Sequence, residues 1–190
     1  YDEARVAVSR GTFATEHSRL AFDGQTAWGG ASSFTVAATS GDLQETDQVL
    51  AGILTDLGAP TAVIPLGGWG TFSGTLTGPL AKPRIEGDVM AEDVRAWDTL
   101  WGVGTAHVTV ENGYAQVRDG HMRTGDSDMR AEGRFSLGYP RADHGEEIDA
   151  RIWAERRDID SLRHAFELDD YPVTGLLSGE VHLTGGYESP

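Results

Sequence analysis

The sequence predicts a mainly β protein: a glycine-rich antiparallel sheet, apolar on one face and polar on the other, with two short amphipathic helices. Three observations predict it. Glycine supplies 25 of 190 residues, about twice the usual share. The segments between glycines alternate apolar and polar residues with the period of a strand. Two stretches switch to helical spacing.

The elements follow in order. An early strand ends at Phe22-Asp23-Gly24. From Asp42 to Leu57, the residues Leu43, Leu50, Ile53, Leu54 and Leu57 share one helical face, with Ser40 or Asp42 as the cap. Phe72, Gly74, Leu76, Gly78 and Leu80 then alternate with Thr71, Ser73, Thr75, Thr77 and Pro79. Ala106, Val108 and Val110 alternate with His107, Thr109 and Glu111, and Asn112-Gly113 reads as a two-residue hairpin turn. Asp119-Gly120 and Gly125-Asp126 read as further turns. Ala131, Gly133, Phe135 and Leu137 form another alternating run, as do Ile148, Ala150, Ile152 and Ala154. Ile159, Leu162 and Phe166 make a second helical face, capped by Asp158 and stopped before Pro172. Each helix must lay its apolar side on something, most simply the apolar face of the sheet.

Composition narrows the function. Fifteen basic and 30 acidic residues give a formal net charge of −15, which argues against nucleic acid, since phosphate binding rests on Lys and Arg. There is no cysteine, hence no disulfide, thiol nucleophile or thiolate metal site. Lys82 is the sole lysine, a skew that fits coding bias. No run approaches the ~18 apolar residues of a membrane-spanning helix.

The chain also repeats itself. Phe72-Ser73-Gly74 leads to Leu76-Thr77-Gly78 and, four residues on, Pro83; Leu177-Ser178-Gly179 leads to Leu183-Thr184-Gly185 and then Pro190. Leu76 and Leu183 are 107 residues apart. Each block follows two strands and a short helix, the upstream strands carrying Phe22-Asp23-Gly24 and Ala131-Glu132-Gly133. We therefore divide the chain into repeat units 1–83 and 84–190 of one continuous β-domain, an array-like arrangement. The start at Tyr1 and the halt of the second copy at Pro190 read as a segment of a longer array.

The phrase from Gly74 to Val89, with Gly74, Gly78, Pro83, Ile85, Gly87 and Val89 at its fixed positions, resembles a strand–turn–strand phrase of the TamB/AsmA-like family of Gram-negative envelope proteins. Tyr171 to Gly185 is similar to it, and the helix from Asp158 to Phe166 resembles the family's short helix before a glycine-rich strand. The resemblance implies a β-taco-like sheet curled into a trough, apolar inside. It implies a periplasmic bridge that carries phospholipid between inner and outer membranes, from a parent anchored in the inner membrane. An older view of the family implies an assembly scaffold for outer-membrane proteins, partnered by an outer-membrane β-barrel assembly protein. It implies no cofactor and no catalysis.

The residues expected on the apolar, lipid-facing side are Phe72, Leu76, Leu80, Val108, Val110, Phe135, Leu137, Ile148, Ile152, Val181 and Leu183. The same residues would equally fill the core of a β-sandwich. Other candidates read as ordinary surface. Asp143-His144-Gly145-Glu146-Glu147 is a solvated loop rather than a cation site, and Gly125-Asp126-Ser127-Asp128 lacks calcium-loop spacing. His107 and His182 fall on the polar phase. Gly67-Gly68-Trp69-Gly70 reads as a turn or bulge with an exposed aromatic, and Trp97 with Trp101 as a partner anchor or an edge packing pair. No nucleophile elbow, phosphate loop or His-x-x-x-His motif is present.

Overall fold

A computed structural model describes residues 5–27, 30–56, 63–137, 144–165 and 170–186. Ten strands form one antiparallel sheet in strict sequence order. They are β1 (Arg5–Ala14), β2 (Ser18–Ala27), β3 (Ser32–Ser40), β4 (Leu66–Gly78), β5 (Arg84–Ala96), β6 (Thr99–Glu111), β7 (Tyr114–Thr124), β8 (Ser127–Ser136), β9 (Ile148–Asp158) and β10 (Leu176–Gly185). Helix α1 (Leu43–Asp56) lies between β3 and β4, and α2 (Ile159–Ala165) between β9 and β10. β1 and β10 are the free edges, so the sheet is open. No second sheet packs on it among the described residues, so the β-sandwich core is replaced by a single curled layer, a trough.

The helices start where the sequence predicts. The Asp42 carboxylate accepts the Gln44 amide at 2.9 Å, and the Ser40 hydroxyl accepts the Asp42 amide. Asp158 does the same for Asp160 at 3.1 Å. Glu45 fastens α1 to the β1–β2 turn by accepting the Ser18 hydroxyl and the His17 and Glu16 amides. Partial burial opposes its ionisation, but these donors, with Thr15, outweigh that and lower its pKa. The predicted apolar face of α1 is corrected in part. Ala51 is buried, whereas Leu50 is exposed. The side chains of Ile53 and Leu54, and all of Leu57 and Phe166, lie outside the described residues.

Turn chemistry sets the hairpins. Asn112 (φ 53°) and Gly113 (φ 76°) turn β6 into β7 as predicted. Trp97 and Asp98, also both at positive φ, form the two-residue turn from β5 to β6. Gly125-Asp126 turns β7 into β8. Asp119-Gly120 is corrected: it lies inside β7 as a bulge, with two residues opposed by one on each neighbouring strand. Equivalent bulges occur on β1 at Arg10, β5 at Asp93 and β9 at Arg156. All four bulge residues have φ between 51° and 55°. A bulge bends its strand and strengthens its twist, and all four lie on strands running in the same direction.

The curl is visible at one end. β6 and β9 are three strand spacings apart, about 14 Å in a flat sheet. Yet Arg157 donates to the Leu100 carbonyl at 3.0 Å, and the Thr99 hydroxyl donates to the Ser161 carbonyl at 2.9 Å. The sheet has therefore bent so that α2 crosses its end. The accessible surface is 12237 Å² for 20.4 kDa, against about 8,800 Å² for a compact protein of that mass.

The two similar segments can be compared in register. Gly24, Phe34 and Leu76 stand opposite one another on β2, β3 and β4; Gly133, Ala150 and Leu183 do so on β8, β9 and β10. The element order β2-β3-α1-β4 recurs as β8-β9-α2-β10.

Candidate functional site

Residues directly opposite on neighbouring strands share a face, so the pairing register writes out the apolar face row by row. One row runs Phe34, Leu76, Ile85, Val110, Ala115, Phe135, Ile148. The next crosses all ten strands: Gly11, Phe22, Val36, Gly74, Gly87, Val108, Val117, Gly133, Ala150, Leu183. Further along lie Phe13, Leu20, Ala38, Phe72, Val89 and Ala106, then Gly120, Ala131, Ile152 and Val181. These rows contain no charged side chain. Ten strands span about 43 Å, and with the next row (Gly70, Ala91, Gly104, Met122, Met129 and Ala154) four alternating rows span about 20 Å along the strands. That is well above the few hundred Å² of the largest apolar patch on most monomers.

The face is lined rather than covered. Among the described residues no large side chain is fully buried, and of the apolar ones only Ala51, Ala96, Ile148 and Ala150 are buried. Helices α1 and α2 meet the sheet mainly at β4 and β6. Glycine explains how rings can lie flat on the sheet. A Cβ at Gly11 would stand 2.5 Å from the Phe22 ring, one at Gly24 would stand 2.7 Å from the Phe34 ring, and one at Gly74 would stand 2.8 Å from the Phe72 ring. Phe72 also roofs Gly87, directly opposite Gly74.

Of the eleven expected residues, Phe72, Leu76, Val108, Val110, Phe135, Ile148, Ile152, Val181 and Leu183 stand on this face. Ile148 is buried, Val181 is exposed on the edge strand, and the rest are half-buried. Leu80 is not on it: β4 ends at Gly78, and Leu80 sits 57% exposed in the turn to β5. Leu137 follows β8 and is half-buried, its amide bonded to the Gly113 carbonyl. Sequence reasoning missed Phe22, Phe34 and Val36, because serine, threonine and alanine dilute the alternation in β2 and β3.

It also missed Arg157. On the phase of Asp149, Arg151 and Glu155 this residue belongs to the polar face. The bulge at Arg156 shifts it across, and Arg157 is 2% exposed. Its guanidinium lies 4.9 Å from the Trp101 ring centre. Burial pushes its pKa down, partly opposed by the charge of Asp158. Trp101 donates its indole N–H to the Ala96 carbonyl and meets Trp97 edge-on. The tryptophan pair is thus a packing pair with one exposed member, Trp97. Trp69 is also exposed, beside the register shift between β4 and β5.

The opposite face is a ladder of charge pairs, both along and between strands. Arg84 pairs with Glu86 and Glu111, Arg134 with Glu146, and His182 with Asp149. Asp143 lies outside the described residues, and among the described residues no three His, Asp or Glu side chains gather as metal ligands. No described helix is long and apolar enough to cross a membrane.

His107 is one pH-sensitive member of the ladder. Its Nδ1 is 2.8 Å from Asp88 and its Nε2 is 3.4 Å from Glu86. Hydrogen bonding to Asp88 first, and then to Glu86, raises its pKa against partial desolvation and the Arg118 charge. A raised folded-state pKa adds stability that is fully present below the ordinary value of about 6.5 and lost as pH rises through the raised value. The His107 imidazole is expected to titrate by NMR above that ordinary value. Asp88→Asn should bring the midpoint down, and an unmoved midpoint would mean the pair does not form in solution.

Compared with known proteins, the chain matches no family model, no curated protein and no solved structure.

Proposed function

We propose that this chain is a segment of a periplasmic, bridge-like lipid carrier, non-enzymatic and free of cofactors, whose trough holds phospholipid acyl chains. The observation that carries the reading is an apolar face whose named rows hold no charge, extending over ten strands and left largely uncovered by α1 and α2. The resemblance of Gly74–Val89 and Tyr171–Gly185 to the TamB/AsmA-like family supports it. Such a face in a strongly acidic chain must be covered by something apolar. Eight methylenes moved from water onto the lining gain about 6 kcal/mol. Tails lie along the rows, headgroups stay at the polar rim, and lipid moves by diffusion along the trough.

The test is native mass spectrometry of the purified chain, with extraction and identification of co-purifying apolar molecules. Phospholipid near one equivalent or more is expected. A lipid-free, stable monomer that also takes up no lipid from vesicles would overturn the reading.

A second reading has its own observation. Edge strands β1 and β10 present unpaired backbone with exposed Val6, Phe13, Leu176, Leu177 and Val181. Such an edge can take an added strand from a partner, as an assembly scaffold for an outer-membrane β-barrel would require.

A further inference from the structure

We propose that a cavity at the α2 end of the sheet binds a monoanionic oxyanion, the carboxylate or phosphodiester head of an acyl-chain amphiphile, on the Arg157 guanidinium and the Ser127 hydroxyl. The site rests on the lipid reading of the apolar face and names the end at which a headgroup is held.

The cavity has a volume of about 340 Å³ and lies where β7 turns into β8 and β9 runs into α2. Both proposed donors line it, both are more than nine-tenths buried, and both have polar atoms without a partner. Ser127 is 7% exposed and its Oγ makes no hydrogen bond. Arg157 is 2% exposed and its Nε makes none. Buried polar groups are nearly always satisfied, so two orphans lining one cavity point to a missing acceptor. Arginine has no acceptor capacity and stays charged; among the described residues Arg157 hydrogen-bonds only to the neutral Leu100 carbonyl. Among the described residues no carboxylate forms an ion pair with it.

The trough supplies the tail. The bulge at Arg156 puts Arg157 on the apolar side, paired with Leu177 on β10 and stacked on Trp101. A ligand reaching this cation from the rows of β8 and β9 arrives with its apolar part against Met129, Ala154 and Ile152, which lie in the same register. Charge selects the head. Arg156, Arg157, Asp126 and Asp158 all line the cavity, so its formal charges balance. A monoanion gains the fork of Arg157 without the repulsion from Asp126 and Asp158 that a dianion would meet. The Asp158 carboxylate is itself occupied by the Asp160 amide.

The experiment titrates the 190-residue chain with oleate, oleoyl lysophosphatidylglycerol, oleyl alcohol and dimethyl phosphate, followed by calorimetry and by the ¹H–¹⁵N resonance of Arg157 Nε. Oleate or the lysophospholipid is expected to bind at least tenfold more tightly than oleyl alcohol, with a shifted Arg157 Nε resonance. Arg157→Gln should erase that preference and leave oleyl alcohol binding intact, which also reports an intact trough. Ser127→Ala should weaken the anionic ligands several-fold. Response to oleate alone assigns a fatty acid, and response to both assigns a phospholipid head as well. Dimethyl phosphate moving the Arg157 resonance while oleyl alcohol fails to bind would keep the anion site and sink the trough. Equal affinity for oleate and oleyl alcohol in the unaltered chain, or an unmoved Arg157 resonance with every anion, overturns the site.

Discussion

Leu76→Arg is expected to remove acyl-chain binding while leaving the sheet folded. Leu76 sits in the row that runs from Phe34 to Ile148, between Phe34 on β3 and Ile85 on β5. No acidic side chain shares that row, so a guanidinium there has nothing to pair with. Without ligand the cost is small, because the face is open and the arginine stem can lie along it with its head in water. Under a tail the head must be desolvated, at a cost of several kcal/mol. The loss should be roughly 100-fold or more in affinity, since 1.4 kcal/mol is tenfold. Phe135→Arg, four strands along the same row, should act alike. Thr75→Arg is the control: it is the next residue on β4, faces the other way and stands opposite Thr35 and Glu86. Fluorescent fatty-acid titration with circular dichroism on each variant reads the result. Folded Leu76→Arg and Phe135→Arg variants that bind as tightly as the parent would show that the tail lies elsewhere.

Much of this face was legible in the chain because a strand's period is two. Once Phe72, Leu76, Val108, Val110, Phe135 and Ile152 are in phase, their common face follows. Both helices were legible from spacing and caps. What defeated the reading was a local change of phase. One extra residue at Arg156 moves Arg157 from the polar face to the apolar one, and no composition signal marks it. Asp119-Gly120 has turn chemistry, yet the chain uses it to bend β7. A bulge and a turn both need a residue at positive φ, so they look alike locally; only the partner strands tell them apart. The choice between sandwich and open trough was not legible either. It depends on whether a second sheet exists to cover the face, and alternation is the same in both cases.

Gly87→Val is expected to destabilise the sheet strongly, although valine is a far better strand former than glycine. Propensity alone predicts a gain of up to about 1 kcal/mol. Close approach predicts the opposite. A Cβ at Gly87 would stand 2.3 Å from the Ser73 carbonyl oxygen, 2.6 Å from the Gly74 Cα and 2.9 Å from the Phe72 ring. The first two are backbone atoms of the neighbouring strand, so relief requires β4 and β5 to part near the middle of the sheet. The third is a ring that can leave, but leaving exposes both faces of Phe72 to water and uncovers Gly74. Overpacking of this kind costs about 1–3 kcal/mol, and the lost burial of an aromatic ring adds to it. The steric cost therefore outweighs propensity, and the urea midpoint should fall by about 1 M or more for m near 2 kcal/mol/M. Phe72→Ala in the Gly87→Val background separates the two parts. If the ring is the main obstacle, the double variant loses less than the two single losses added together. If the backbone is, the losses add. A Gly87→Val chain as stable as the parent would mean that the two strands do not approach so closely. The flat Phe72 ring would then no longer explain why glycine pairs with glycine at this point of the trough.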